Sequence, residues 1–247
     1  DRMRLPTAAE MHERIPDVND GIVSVAGIIA GFIAAGAGDD ALIAATAAAT
    51  IAGAVSVGGM TYGEYAAERD AEVAIIDAEL ASFARDPAAE LGELTEHFVE
   101  RGVQQDLAHE VALQMAAHDA LAAQIETEHG ILQRTPPAAP FVVAVAAAVA
   151  FSLGAALPIL IIWVFPWWSQ GIMTAIAVGV ALLVTAVLSA RLGRARLGRT
   201  IVRSLVIGGL SLALSLLVGS ALPDPDNGGR LLHWPAQESV VEDELDR

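Results

Sequence analysis

The sequence predicts an all-α membrane protein, a bundle of five transmembrane helices with a three-helix insert between the second and third spans. Three observations lead to this prediction. Hydrophobic residues make up 54% of the 247 positions, and the mean hydropathy is +0.52, which is unusually apolar for a soluble domain. The apolar residues are gathered in five stretches. The acidic residues are concentrated between the second and third of these stretches.

The five stretches each approach the roughly 20 residues that a helix needs to cross a ~30 Å hydrocarbon core. They cover about 21–38, 41–60, 141–165, 172–190 and 204–222. The third and fourth contain no charged residue. The first two are rich in Ala and Gly, which favours close helix–helix packing inside a bundle. A buried hairpin of a soluble protein is the alternative for these two.

The predicted insert, residues 64–134, differs sharply from its surroundings. It carries 15 Asp and Glu residues between Glu68 and Glu128, against three Arg residues. Its apolar residues recur at helical spacing, and Asp86–Pro87 and Arg101–Gly102 divide it into about three helices. The predicted domains are therefore 1–63 with spans one and two, the insert 64–134, 135–222 with spans three to five, and an acidic, mobile tail at 223–247.

The distribution of arginine predicts the orientation in the membrane. The loop between the fourth and fifth spans contains five arginines and no acid: Arg191, Arg194, Arg196, Arg199 and Arg203. Loops rich in Arg and Lys face the cytoplasm. Counting spans from that loop places the insert and the N-terminus on the cytoplasmic side and the C-terminal tail outside.

Composition also excludes several classes of function. The formal net charge of −16 disfavours nucleic acid or an anionic lipid surface as a partner and favours cations. The chain has no Cys, which excludes disulfides, thiolate metal sites and Cys nucleophiles. Neither a nucleophile motif nor a phosphate-binding glycine loop is present, and HExxH is absent too. The sequence therefore predicts a protein that is not an enzyme.

Several insert residues could bind a divalent cation. Carboxylates suit Mn²⁺, Mg²⁺ and Ca²⁺, and His or Met extends the preference to Fe²⁺. Glu90 and Glu93 share a helix face, which His97 continues, and Met115 and Asp119 are spaced i, i+4. A solvated acidic helix surface is the alternative. Such a surface would, however, usually pair Glu with Lys or Arg at i+4.

Three residues of the first two spans are candidates for a transport pathway. Asp20 lies at the entrance to span one, where its alternative role is an ordinary helix N-cap. Met60 and Glu64 are spaced i, i+4 near the end of span two. An ionisable group at membrane depth is costly and therefore marks a functional site. Glu64 lies either inside the bilayer or just beyond its cytoplasmic edge.

Several motifs, taken in order over about 19–222, resemble the vacuolar iron transporter family in its prokaryotic form with a cytoplasmic insert. They are NDGIVS from Asn19, AGAVS from Ala52, DPAAELGEL from Asp86, FVERG from Phe98 and MAAHDALAAQ from Met115. The resemblance implies a homodimer in a prokaryotic cell membrane. It also implies that this dimer exports Fe²⁺, and often Mn²⁺, from the cytosol in exchange for protons, without a prosthetic group.

The resemblance also implies site residues. It places the transport site at Asp20 of span one and a Met with nearby polar groups in span two, for which Met60 and Glu64 are the candidates. In the insert it implies metal ligands at Glu79, Glu90 and Glu93, with Met115 and Asp119 offered by the third helix.

The chain departs from the family pattern at two places. Ser82 stands where members commonly have another Glu. In span two the family reads close to AGAxSMxxGEY, and an ungapped match through AGAVS places Val57 at the Met. A shift of three residues aligns Met60, Gly63 and Glu64 with the Met, Gly and Glu instead. The alternative function is therefore a scaffold or metal sensor of the same fold that does not transport.

Overall fold

The structure is a computed structural model, and it describes residues 8–131, 134–193 and 196–222. These residues form seven helices and no strand. The helices are α1 (Ala8–Ala34), α2 (Asp39–Arg85), α3 (Pro87–Glu100), α4 (Gln105–His129), α5 (Ala139–Val164), α6 (Trp167–Leu192) and α7 (Leu197–Ala221). The all-α prediction is confirmed over these ranges. The predicted tail at 223–247 and Arg194 of the basic loop lie outside the described residues.

Five of the helices, α1, α2, α5, α6 and α7, are long and apolar enough to cross a membrane. The number of predicted spans is therefore confirmed, and the protein is an integral membrane protein. Large apolar side chains stand exposed on α5, α6 and α7, among them Leu153, Ile176 and Leu217. Exposed apolar surface of this extent is typical of helices that face lipid hydrocarbon.

The first two spanning helices are longer than the sequence predicted. α1 begins at Ala8 and continues through Pro16. α2 runs without a break for 47 residues, a length of about 70 Å at 1.5 Å per residue, which is well beyond the thickness of a hydrocarbon core. Hydropathy detects only the apolar part of each helix, because charged residues end the apolar run without ending the backbone hydrogen bonds.

The chain divides into two compact units. Within the described residues, the first unit comprises those up to Val55 and those from Ala148 onward, and it therefore holds α1, α6, α7 and the adjoining parts of α2 and α5. The second unit, Ser56–Ala147, holds the rest of α2, all of α3 and α4, and the start of α5. The second unit is wider than the predicted insert 64–134, because it includes residues of both flanking helices.

In the first unit, α1 and α5 approach each other until their backbones touch. A Cβ at Gly21 of α1 would overlap the carbonyl oxygen of Phe151, and a Cβ at Gly154 of α5 would overlap that of Val18. Only glycine allows this approach on both sides of the contact. The contact holds the part of α1 that carries Asp20 against α5.

A second contact in the first unit joins α1 to α6. Ile22 of α1 packs against Leu182 of α6 in a buried apolar cluster. One turn beyond Leu182, the Thr185 hydroxyl donates a hydrogen bond to Asn19 Oδ1 at 2.6 Å. Interhelical hydrogen bonds of this kind stabilise helix pairs in membranes. The residues around Asp20 are therefore held on two sides.

The helix ends of the second unit coincide with local sequence signals. Asp86 caps α3: its Oδ1 accepts hydrogen bonds from the backbone N–H groups of Ala88 and Ala89, both at 3.1 Å. Pro87 occupies the start of the helix, where its missing N–H costs nothing. α4 ends at Gly130, whose φ of 69° is the left-handed conformation typical of a helix C-terminus.

The core of the second unit lies between α3 and α4. Leu94, Ala112 and Ala123 are its buried members. The partly buried side chains packed against them are Leu91, Phe98 and Met115. Burial of this apolar face fixes which sides of α3 and α4 remain for polar residues.

Candidate metal site

Three side chains from two helices of the second unit bring their ligand atoms together. One ligand atom each of Glu79 on α2 and of Glu128 and His129 at the end of α4 lies within 4.8 Å of the others. His129 Nε2 lies 3.0 Å from Glu79 Oε1. A divalent cation between such atoms would be coordinated by two carboxylates and one imidazole, which is a donor set that Mn²⁺ and Fe²⁺ accept.

The neighbouring helix α3 adds further carboxylates. Glu90 is buried, with only 7% of its surface exposed, whereas Glu93 on the next turn is exposed. Burial raises the pKa of Glu90, and the negative charges of Glu93, Glu79, Glu128 and Asp86 raise it further. Buried Glu is rare in proteins unless a positive group compensates its charge. A bound cation would therefore stabilise the ionised form of Glu90.

Glu128 is affected by the same neighbours. Its partial burial raises its pKa, the charges of Glu79 and Glu93 raise it further, and His129 and His97 oppose that rise. Negative charge from α2, α3 and α4 therefore acts on one small region. We call the set Glu79, Glu90, Glu93, Glu128 and His129 the acidic cluster.

Two predicted insert ligands have other contacts. Met115 packs against the core of the second unit. Asp119 lies at a break inside α4, where its φ and ψ are −158° and 99°, and its Oδ1 accepts a hydrogen bond from the N–H of Ala122 at 3.0 Å. Asp119 thus caps the second half of α4. Among the described residues it does not belong to the converging group of Glu79, Glu128 and His129.

Sequence reasoning did not single out Glu128 and His129. Both stand just before Gly130, at the point where α4 ends. The sequence pointed to them only through the excess of acid over base in the insert. Their proximity to Glu79 depends on how α4 packs and cannot be found from residue spacing. Of the residues that the resemblance implied, Glu79 belongs to the converging group, and the charges of Glu79 and Glu93 act on Glu90. The role of all three as metal ligands stays a prediction.

In the first unit, Asp20 lies inside α1. Its alternative role as a helix N-cap is wrong, because α1 begins at Ala8. Asp20 Oδ1 accepts a hydrogen bond from the Ser24 hydroxyl at 3.1 Å. Asp20 also lines a cavity of about 310 Å³ between α1, α6 and α7, together with Asn19, Thr200 and Arg203. The cavity is thus partly polar although it lies between helices that cross the membrane.

Met60 and Glu64 lie on α2 within the second unit. Both side chains are exposed, whereas Val57 is buried. The two exposed residues are one helical turn apart, so a thioether and a carboxylate share one face of α2. Their role in a transport pathway stays a prediction, as does that of Asp20.

The fold and the acidic cluster together define an integral membrane protein, built of helices, with a candidate cation site. Comparison with known proteins makes this class more specific. Residues 12–220 match the sequence model of the VIT family. The chain is also 32% identical over 217 residues to a vacuolar iron transporter of Acanthamoeba castellanii, a match that covers 87% of this chain and 79% of that relative. The protein belongs to the VIT family, and the membership of this family that the sequence motifs predicted is confirmed.

Proposed function

We propose that the protein transports a divalent metal ion, Fe²⁺ or Mn²⁺, out of the cytosol, and that its second unit collects the ion on the cytoplasmic side. The observation that carries the proposal is the convergence of Glu79, Glu128 and His129 within 4.8 Å in a chain of the VIT family. Iron as the cargo is further supported by the relative that is named a vacuolar iron transporter.

The electrostatics of the acidic cluster supports the collecting role. Carboxylates from three helices act on one another, since the charges of Glu79 and Glu93 raise the pKa of both Glu90 and Glu128, and His129 lies 3.0 Å from Glu79. A divalent cation would neutralise this repulsion and gain oxygen ligands together with one nitrogen ligand. An ion held by side chains of separate helices also couples binding to the packing of those helices.

The membrane part of the proposal assigns a pathway to Asp20, Met60 and Glu64. Asp20 supplies a carboxylate on α1, and Met60 and Glu64 supply a thioether and a carboxylate on α2. The polar cavity beside Asp20 would lower the cost of a charged group between apolar helices. We also propose that the protein transports as a homodimer and that protons move in exchange for the metal.

Flux measurements test this proposal. Full-length protein in liposomes should carry Fe²⁺ and Mn²⁺, and Asp20→Asn should reduce the initial rate at least tenfold, because the amide lacks the charge that attracts the ion. Asp40→Asn is the matched control: Asp40 is exposed in the first turn of α2, and its loss should leave the rate unchanged. Liposomes containing wild-type protein that stay tight to both metals would contradict a transport function.

A second candidate function is a scaffold or metal sensor that does not transport. It is favoured by the ungapped alignment of span two, in which Val57 occupies the place of a methionine, because a valine side chain offers no metal ligand. In that case full-length protein would bind Mn²⁺ through the acidic cluster, and liposomes would show no flux.

A further inference from the structure

Two buried atoms beside the acidic cluster have no hydrogen-bond partner within the described part of the chain. They are Oε1 of Gln124 and Nε2 of His97. Gln124 is completely buried, with 0% of its surface exposed. Buried polar atoms are nearly always paired, so an unpaired acceptor in a core requires a reason, and a bound ion is one such reason.

The position of Gln124 ties it to the acidic cluster. It lies one turn before Glu128 on α4, and its Nε2 donates a hydrogen bond to Glu128 Oε1. The side-chain amide is therefore oriented by a member of the cluster. Its other atom, Oε1, is a neutral oxygen of the kind that coordinates divalent cations.

The position of His97 ties it to the same region from α3. Glu90, Glu93 and His97 follow each other at helical spacing and share one face of α3. The His97 ring packs edge-on against Phe98, with 5.9 Å between the ring centroids. Nε2 of His97 has no hydrogen-bond partner within the described residues, and His97 lies close enough to Glu128 to lower the pKa of that carboxyl.

We infer that His97 Nε2 and Gln124 Oε1 are further ligands of the acidic cluster, and that the imidazole of His97 makes it select a transition-metal ion such as Mn²⁺ or Fe²⁺ over Mg²⁺ and Ca²⁺. The inference rests on the proposed function, because it concerns the same site. Mg²⁺ and Ca²⁺ prefer oxygen ligands alone, whereas Mn²⁺ and Fe²⁺ also accept imidazole. These two neutral ligands would contribute to the coordination of the ion without adding to the negative charge of the carboxylates.

Binding measurements on the full-length protein in detergent test the selectivity. His97→Gln should weaken Mn²⁺ binding roughly tenfold and should weaken Mg²⁺ binding much less, so that the Mn²⁺/Mg²⁺ ratio falls. Gln124→Leu removes an oxygen ligand and should therefore weaken the binding of both ions. His118→Gln is the matched control, since His118 is exposed on α4, and it should change neither affinity. An unchanged ratio in His97→Gln would overturn the inference, whatever the folding of Gln124→Leu.

Electron paramagnetic resonance provides a readout that a structural role of His97 would not affect. Because His129 also offers a nitrogen, the measurement starts from His129→Gln loaded with Mn²⁺. Coupling of the metal to a ¹⁴N nucleus should persist in this variant and disappear when His97→Gln is added. Absence of the coupling in His129→Gln, or its survival in the double variant, would contradict ligation by His97.

The same experiments separate this inference from the proposed function. Glu90→Gln combined with Glu93→Gln should abolish tight Mn²⁺ binding, whereas Glu96→Gln combined with Asp106→Asn, at exposed positions of α3 and of the first turn of α4, should not. If wild-type protein fails to bind Mn²⁺, or if the first pair has no effect, metal collection itself is wrong. If binding needs Glu90 and Glu93 but neither His97 nor Gln124, only the present inference fails.

Discussion

At the scale of single residues, the burial of Glu90 distinguishes the acidic cluster from an ordinary acidic surface. Solvated Glu side chains on a helix surface repel one another only weakly. Glu90 is shielded from water and surrounded by other carboxylates, so its negative charge is poorly compensated in the metal-free protein. A cation that binds beside this buried carboxylate therefore gains more binding free energy than it would at an exposed acidic cluster.

This arrangement predicts how the stability of the second unit depends on pH. The pKa values of Glu90 and Glu128 are raised in the folded chain, so the folded state holds these protons more tightly than the unfolded state. The contribution of these two groups to stability without metal is therefore fully present below the ordinary carboxyl pKa of 4.5, and it is lost as pH rises through the raised values. Mn²⁺ should accordingly raise the unfolding midpoint of the protein more at pH 7 than at pH 5.

Glu90→Gln is the variant that checks this pH dependence. At pH 7 and without metal it should unfold a few degrees higher than wild type, of the order of 2–4 °C if about 1 kcal/mol is gained, and its midpoint should respond less to Mn²⁺. Glu96→Gln, at an exposed position of α3, should behave as wild type. A lower midpoint for Glu90→Gln than for wild type at pH 7 would show that the charge of Glu90 is compensated by the protein itself.

Some residues of the second unit could be grouped correctly from the sequence and others could not, and the difference has a physical reason. Glu90 and Glu93 share a helix face by spacing alone, so their proximity is a local property. Met115 and Asp119 were paired by the same spacing, but the α-helical geometry is interrupted at Asp119 itself, so the spacing no longer fixes their relation. Glu128 and His129 come near Glu79 only through tertiary packing, which no periodicity in the chain reports.

At the scale of helices, the boundary between α2 and α3 was predictable from the sequence, whereas the length of α2 was not. Asp86–Pro87 ends one helix and starts the next through side-chain capping and the fixed φ of proline, which are both local effects. The extension of α2 to Arg85 is different, because the helix leaves the apolar stretch and continues through a charged segment. Hydropathy indicates which part of a helix is apolar. It does not indicate where the backbone hydrogen bonds of the helix end.

The contact between α1 and α5 gives a prediction at this scale. Gly21→Ala places a methyl group against the carbonyl oxygen of Phe151, and the rigid backbone cannot move away without separating the helices. We expect a loss of about 1–3 kcal/mol in the free energy of unfolding, measured by denaturation in detergent. Gly179→Ala on α6, where a Cβ meets no atom within 4 Å, is the control and should be neutral or slightly stabilising. Equal stability of Gly21→Ala and wild type would contradict the close approach.

At the scale of the whole molecule, charge is divided along the chain in a way that suits a cation carrier. The segment from Glu68 to Glu128 holds 15 of the 30 acidic residues, whereas the connection between α6 and α7 and the first turns of α7 hold a run of arginines. The number of spans was predictable because an apolar run is a local property of the sequence. The side of the membrane on which the acidic cluster lies was predicted only from arginine placement, and the direction of transport depends on it.

The absence of Cys from the chain makes that orientation directly measurable. Glu96→Cys places a thiol on the exposed side of α3, and Gly38→Cys places one between α1 and α2, where a side chain meets no atom within 4 Å. If the acidic cluster is cytoplasmic, a maleimide that cannot cross membranes should label Gly38→Cys in intact cells. It should label Glu96→Cys only after the cells are permeabilised. The unsubstituted protein is the control and should remain unlabelled in both conditions.

Labelling of Glu96→Cys in intact cells would place the acidic cluster outside. The cluster would then collect metal from the surroundings, and the protein would carry the ion inward instead of exporting it.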